Sequence, residues 1–170
     1  LFAKQVFSHR SEKLNKIEIF ERLSQPENEA DRKAIHDLAV TQGMTFIRDH
    51  SGTNINVQLF DLSKIDFSES FLSETGVQKD EVILVIDYAF GEQAFEAMDE
   101  LLKPYVNKKG KEVMLDVASI SIMGKAGILI GDKGDIMIPH AHIFEGTSDN
   151  YPFKNEISVA DFEGYGVNVY

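Results

Sequence analysis

The sequence predicts an α/β fold in which a mixed or parallel sheet is flanked by helices and preceded by a helical N-terminal extension. Residues 82–86, VILVI, form a continuous apolar run, which is typical of a central strand covered on both faces. A helical pattern follows over residues 92–105, and a second run of apolar and small residues occupies 113–123. We therefore expect residues 81–123 to form a strand–helix–strand unit, most simply a right-handed parallel crossover.

The part of the chain before this unit is predicted to be mainly helical. Residues 9–24 have the periodicity of an amphipathic helix, with Ser11 as the candidate N-cap. A second helix is expected over 26–48, because a proline opens it and acidic residues follow in its first turns. The charged residues of both helices are expected to face solvent. Residues 50–54 are predicted to form a turn. Apolar and polar residues alternate over 55–60, which predicts a short strand.

Size and composition limit the classes of function. A chain of 170 residues suggests one domain, or one domain with an appendage. The net charge of -11 would repel a phosphate backbone or an anionic lipid surface, so we expect neither a nucleic acid nor a membrane as partner. No apolar run approaches the roughly 20 residues of a membrane span. Cysteine is absent, which excludes thiol chemistry and disulfides and suits a cytoplasmic location.

The most unusual stretch carries four glycines within eleven positions, Gly124, Gly127, Gly131 and Gly134. In open α/β sheets, ligands bind beyond the carboxyl ends of the strands, and the first two glycines are expected at such an end. Glycine there would let backbone N–H groups approach a ligand, and Lys125 would add a charge for a phosphate. A plain tight turn is the alternative. The spacing matches neither the dinucleotide-binding motif nor the P-loop.

Asp87 and Gly91 follow the first apolar strand and lead into the predicted helix. Asp87 is either the cap of that helix or a ligand contact, and the sequence does not choose between the two. Gly91 opens the helix and is a candidate ligand contact as well.

Two further pairs of polar residues follow the glycine stretch. His140 and His142 would share one face of a strand, but two ligands do not make a metal site. We expect no metal there, and a hydrogen-bonded or exposed pair instead. Asp132 and Asp135 flank Lys133-Gly134, a composition that predicts a turn. Residues 136–138 and 167–170 are expected to be short strands.

Three motifs follow one another in this half of the chain: GKAGIL at 124–129, GDIMIP at 134–139 and EGTSDNY at 145–151. Their order and spacing resemble the nucleoside phosphorylase superfamily, and AMP nucleosidase in particular. That family runs a strand into Gly-Lys-Cys-Gly-Gly-Leu, then a Gly-Asp strand ending in proline, then Glu-Gly-Thr-Ser-Asn-Asp-Tyr. FGEQA at 90–94 is similar to the glycine-led helix that precedes these motifs. The resemblance covers residues 81 to about 153.

The resemblance implies a nucleoside phosphorylase-like core, an N-ribosyl hydrolase or phosphorylase activity, and assembly as a homo-oligomer. The substrate would be a small nucleotide or nucleoside, with no cofactor. The implied substrate-binding residues lie in the glycine turn and in the Glu-Gly-Thr-Ser loop; they are Gly124, Lys125, Ala126, Gly127, Glu145, Thr147 and Ser148.

The chain departs from the family pattern at three places. Ala126 stands where the family has Cys, Ser or Thr, and Ile143-Phe144 stands where an arginine commonly binds phosphate. The missing arginine favours a hydrolase over a phosphorylase. Nothing after Tyr151 matches the catalytic Asp or the ribose-binding Glu-x-Glu motif, so the catalytic residues are unknown. We expect an extension over 1–75 and a core over 76–170 that is truncated at its C-terminus, or else a non-catalytic nucleotide-binding or assembly module.

Overall fold

The computed structural model describes residues 1–68, 80–87, 89, 91–143, 146, 148 and 150–170. It divides the chain into two compact units, Leu1–Ala118 and Ser119–Tyr170. The predicted mixture of helices and strands is confirmed. The strands that the structure describes form small antiparallel sheets and one isolated parallel bridge, and no parallel sheet appears among them.

The described residues of the first unit contain three N-terminal helices and one later helix. These are α1 (Phe2–His9), α2 (Lys16–Ser24), α3 (Glu29–Thr41) and α4 (Glu92–Leu102), with 3-10 turns at Pro26–Asn28 and Leu62–Lys64. α4 is shorter than the predicted helix over 92–105. Its C-cap, Lys103, is extended at φ -84° and ψ 156°, as expected for the residue before Pro104.

The strands of this unit form a three-stranded sheet and a small hairpin. β1 (Met44–Ile47), β2 (Val57–Asp61) and β3 (Val82–Ile86) pair in that order, antiparallel throughout. β4 (Tyr105–Val106) and β5 (Glu112–Val113) form the hairpin.

The first and third helices contact one face of the sheet and cover it in part, since Ile83 and Val85 of that face are 49% and 43% exposed. Phe60 lies opposite Met44 and Ile83 in the strand register, so these three side chains share a face. The Phe60 ring stacks on Phe2 of α1 with a centroid distance of 6.0 Å, and Phe46 of the same face meets His36 of α3 edge-on at 5.7 Å. The buried apolar side chains of this unit are Val6, Phe7, Ile19, Ala39, Met44, Leu62 and Ile65.

A ring of amide hydrogen bonds joins α1 to the segments after α3 and β2. The buried Gln5 donates from Nε2 to the Asp66 carbonyl at 2.7 Å and accepts from Gln42 Nε2 at 3.0 Å. Gln42 Oε1 in turn accepts from the Asp66 N–H at 3.1 Å. Every polar atom in this ring has a partner, so its burial costs little.

Two details of the predicted N-terminal helices are wrong. The helix predicted over 9–24 begins only at Lys16, after Asn15, which forms a capping box with Glu18, and a separate helix that the sequence did not predict ends at His9. Ser11, the predicted cap, lies instead in the connection at φ 63°. The helix predicted over 26–48 ends at Thr41. Gly43 turns the chain into β1 with φ +92°, where a Cβ would lie 2.8 Å from Lys64 Cβ.

The predicted parallel crossover is also wrong. β3 pairs with β2, while the second apolar run contributes only Val113 to β5 in another sheet. Residues 114–128 form neither helix nor strand. The apolar run predicts a buried strand, but beyond Val113 its large side chains are exposed and no described strand pairs with it. β2 and β3 lie on either side of the boundary predicted at residue 76, so the predicted extension and core share a sheet.

The second unit is built around a hairpin and a parallel bridge. β6 (Ala141–Ile143) pairs antiparallel with β7 (Asn150–Pro152). The predicted strands at 136–138 and 167–170 meet at a parallel bridge between Ile136 and Val169, with three backbone hydrogen bonds of 2.9 Å around it. Ile138 is buried at this contact. A 3-10 turn at Val159–Phe162 lies between the hairpin and the C-terminal segment.

Candidate functional site

The predicted glycine turn lies in an open, irregular stretch of the second unit. Gly124 and Gly127 are not in the left-handed region, so the backbone conformation does not require glycine at either position. A Cβ built on either residue would have no neighbour within 4 Å. The prediction that this turn sits at the end of a regular strand is wrong, because residues 114–128 are not a strand. What the structure offers is exposed backbone that a ligand can approach closely.

Lys125 and Ala126 are exposed within the same stretch. Lys125 forms no ion pair with any residue that the structure describes. Its ammonium group is therefore open to an anionic ligand. Ala126 offers only a methyl group, so the backbone and the Lys125 side chain are the polar groups of residues 124–127.

The Glu-Gly-Thr-Ser motif occupies the loop between β6 and β7. Glu145 and Thr147 lie outside the described residues, and the exposed Ser148 is the implied contact that the structure describes. The hairpin fixes both ends of the loop through the pairs Ala141–Pro152 and Ile143–Asn150. This loop and the glycine stretch belong to the same compact unit.

A tight turn over residues 131–135 forms the end of the glycine stretch. The predicted turn at Asp132 and Asp135 is confirmed: the Asp135 N–H donates to the Asp132 carbonyl at 3.1 Å, and Asp135 Oδ2 accepts from the Asp132 N–H at 2.7 Å. Asp135 Oδ1 accepts from Asn168 Nδ2 at 3.0 Å. Gly131 begins this turn at φ +99°, and a Cβ there would lie 2.8 Å from Tyr170 Cε2. Asp135 and Gly131 are thus structural, since they attach the turn to the C-terminal segment.

Asp87 and Gly91 belong to the first unit, whereas the other candidate residues belong to the second. Asp87 does not cap α4, because the N-cap is Gly91. The Asp87 N–H instead donates to the Asn56 carbonyl at 2.9 Å, and its Oδ2 accepts from Asn56 Nδ2 at 3.2 Å. This pair fixes the end of β3 beside β2. Gly91 has φ 57° and ψ -124°, a conformation that favours glycine.

The two histidines lie at the start of the hairpin. His140 is exposed, and its carbonyl accepts from the Phe153 N–H at 3.0 Å. His142 pairs with Tyr151 across the two strands. Within the part of the chain that the structure describes, no three His, Asp or Glu side chains are grouped to hold a metal ion.

The N-terminal helices contain a buried carboxylate that the sequence did not predict, because their charged residues were expected to face solvent. Asp31 of α3 has a side chain only 8% exposed; it accepts from Arg10 Nη1 at 2.5 Å and from Arg22 Nε at 2.7 Å. Arg22 also pairs with Glu12 and lies 4.6 Å above the Phe7 ring. The hydrogen bond from Arg10 is the largest influence that holds the pKa of Asp31 below its usual value, against the opposing effect of burial. The periodicity of one helix does not predict which residues of another helix it will contact.

A second carboxylate organises the turn predicted over 50–54, and that turn is confirmed. Asp49 accepts from the N–H groups of Ser51, Gly52 and Asn54 at 2.7 to 3.1 Å, and from Ser51 Oγ at 2.6 Å. These hydrogen bonds, with those of Ser51 the largest, lower the pKa of Asp49. The sequence signal is Asp-x-Ser-Gly, a usual Asx-turn composition. All the donors come from its own loop, so Asp49 is a turn residue.

Comparison with known proteins places the chain in a family without assigning a reaction. None of the helices in the described part of the chain combines the length and the apolar character that a membrane span needs. No curated protein and no solved structure matches the chain. One family model matches residues 18–168, nearly the whole chain, and its description is a family of unknown function. The chain therefore belongs to that family, DUF6909.

Proposed function

We propose that this chain belongs to a nucleotide or nucleoside N-ribosyl hydrolase similar to AMP nucleosidase, and that its second unit supplies the nucleotide-binding segment. One observation carries the proposal: the motifs at 124–129, 134–139 and 145–151 resemble, in their order and approximate spacing, those of the nucleoside phosphorylase superfamily. The nucleoside phosphorylase-like fold is part of this proposal.

The geometry of the described residues supports the binding role. Backbone at Gly124 and Gly127 is open to close approach, and the exposed Lys125 between them has no acidic partner among the described residues. Backbone N–H groups together with one ammonium group suit a phosphate. On a chain of net charge -11, an unpaired cation in a glycine-rich segment is a specific feature rather than part of a general basic surface.

The reaction would replace the bond between the ribose C1′ and the base nitrogen with a bond from C1′ to a water oxygen. Positive charge develops on the sugar and negative charge on the departing base, which must gain a proton. In this proposal Lys125 and the surrounding backbone hold the anionic end of the substrate, and the Glu145–Ser148 loop lies beside the ribose. No general acid is assigned, and the catalytic residues remain unknown.

Incubation of the purified protein with AMP in phosphate-free buffer tests the proposal. We expect release of adenine and ribose 5-phosphate, which chromatography of the products detects. Turnover of a nucleoside only when inorganic phosphate is added would instead identify a phosphorylase. Binding of AMP without turnover would identify the non-catalytic nucleotide-binding module. No binding of any nucleotide or nucleoside, measured by calorimetry, would contradict all three versions.

The proposal includes a homo-oligomer and a cytoplasmic location. β3 is an edge of its sheet among the described residues, and four of its five apolar side chains are exposed. Unpaired apolar edge strands favour pairing with another chain. Light scattering is expected to give a mass that is a multiple of 19.1 kDa. A mass of one chain at high protein concentration would contradict the oligomer.

A further inference from the structure

We infer that α4 is a mobile cover that closes over the uncovered apolar face of the β1–β2–β3 sheet in its own chain. The aromatic contacts of Phe60 and Phe46 place α1 and α3 on one face of that sheet. The opposite face carries aliphatic side chains from all three strands; they are Ile47, Val57, Leu59, Val82, Leu84 and Ile86.

This opposite face, called the open face below, is mainly aliphatic, with Thr45 and Asp61 as its polar members. Ile47, Val82 and Leu84 are 52%, 55% and 37% exposed, and the other three aliphatic side chains are half-buried. A three-stranded antiparallel sheet with a face toward water usually alternates apolar and polar residues. β3 does not alternate, because all five of its residues are aliphatic. Its sequence therefore matches a strand with a packed layer on each side.

α4 has an apolar surface to match. Phe95, Met98 and Leu102 follow one another at helical spacing, with acidic residues on the opposite side of the helix. None of the residues of α4 is buried, and Phe95 is 72% exposed. The backbone hydrogen bonds of α4 are thus formed within the helix, but the side chains on its apolar side are not buried.

The chain connectivity selects this helix as the occupant. Five residues, 87–91, separate the end of β3 from the start of α4, and connections of two to six residues are usual between a strand and a helix packed on it. Eleven residues of helix are about 16 Å long, and five residues of strand span about the same distance. A short tether gives α4 an effective concentration on the order of millimolar at the open face, above that of a partner in dilute solution.

The two ends of the connection differ in what holds them: Asp87 is bonded to the sheet, and the Gly91 carbonyl is bonded to α4 itself. Asp87 is held by two hydrogen bonds to Asn56, so the strand end is fixed. Gly91, at the start of α4, has φ 57° and ψ -124°, where a side chain would be strained. A Cβ there would contact nothing within 4 Å. Rotation near Gly91 can therefore swing the helix without disturbing β3.

Cross-linking of engineered cysteines tests the closure, and the chain contains no cysteine of its own. Leu84→Cys with Met98→Cys places one thiol on the open face and one on the apolar side of α4. Leu84→Cys with Glu96→Cys is the matched control, since Glu96 lies about 160° around the helix from Met98. With a short bismaleimide, we expect the first pair to cross-link within one chain at least about tenfold faster than the control. Equal rates would overturn the inference. Cross-links found only between chains would also overturn it, because a second copy would then be the occupant.

Thiol reactivity of the single variant Leu84→Cys gives a second readout that does not depend on linker geometry. Closure predicts slow modification by a maleimide and an acceleration of about tenfold when Phe95→Asp is added. Glu96→Asp is the control on the polar side and should leave the rate unchanged. Rapid modification of Leu84→Cys that Phe95→Asp does not alter would mean that α4 does not cover the open face.

Discussion

At the scale of single residues, Asp31 joins the first three helices through charge. Its side chain is 8% exposed and accepts hydrogen bonds from both Arg10 and Arg22. Asp31→Ala is expected to lower the free energy of unfolding by about 1–3 kcal/mol, near the lower end because both guanidinium groups are partly solvated. Urea unfolding measures this. Glu12→Ala, which removes the more exposed partner of Arg22, should cost less, and an equal cost for both variants would contradict the role of Asp31.

The same residue predicts a pH dependence with a definite sign. The pKa of Asp31 is lowered in the folded state, chiefly by the hydrogen bond from Arg10. Its contribution to stability is therefore present above the unfolded pKa of about 3.9 and is lost as the pH falls below that value. The stability difference between the natural protein and Asp31→Asn should shrink on acidification from pH 7 to below pH 4. A difference that does not change over this range would contradict the ion pair.

Two glycines with different surroundings make a matched test in the second unit. Gly131→Ala is expected to cost about 1–3 kcal/mol, because φ is +99° and the new Cβ would lie 2.8 Å from Tyr170 Cε2. Gly124→Ala should change stability by less than about 0.5 kcal/mol, since its backbone is unstrained and the space is open. Thermal unfolding of both variants measures the difference. Equal losses would mean that Gly124 is also structural.

At the scale of the elements, the second helix depends on its N-cap. Asn15 Oδ1 accepts from the N–H groups of Ile17 and Glu18, and Glu18 Oε2 accepts from the Asn15 N–H at 2.7 Å. Asn15→Ala is expected to destabilise the protein by about 0.5–2 kcal/mol. Ser11→Gly is the control and should cost nothing, because Ser11 lies at φ 63° outside the helix. A larger loss from Ser11→Gly would restore the cap predicted from the sequence.

The elements also show which features of the fold the sequence could predict. The end of α2, both β2 and β3, and the start of α4 lie close to their predicted positions, because local periodicity and turn residues determine them. Strand pairing was mispredicted, since an apolar run such as 113–123 indicates burial but does not identify a neighbour. The end of α3 was missed for a different reason. Gly43 acts there through its close approach to Lys64, a contact between residues distant in sequence.

At the scale of the whole molecule, the sequence grouped most of the candidate binding residues in one part of the chain. Motif order located the glycine stretch and the hairpin loop, which the structure assigns to the second unit. Asp87 had two interpretations, and the structure excludes the helix cap by showing its bonds to Asn56. The sequence could not predict the Asp31 cluster, because three separate segments contribute to it.

The central claim is that Lys125 and the backbone around it bind the phosphate of a nucleotide. Calorimetric titration of AMP and adenosine against the natural protein, Lys125→Ala and Lys133→Ala tests it most directly. A charge-assisted contact is worth about 1.5–3 kcal/mol, so Lys125→Ala should weaken AMP roughly 10- to 150-fold and leave adenosine unchanged. Lys133→Ala is the control in the neighbouring turn and should alter neither ligand. Equal weakening of AMP and adenosine by Lys125→Ala, or no AMP binding by the natural protein, would contradict the claim.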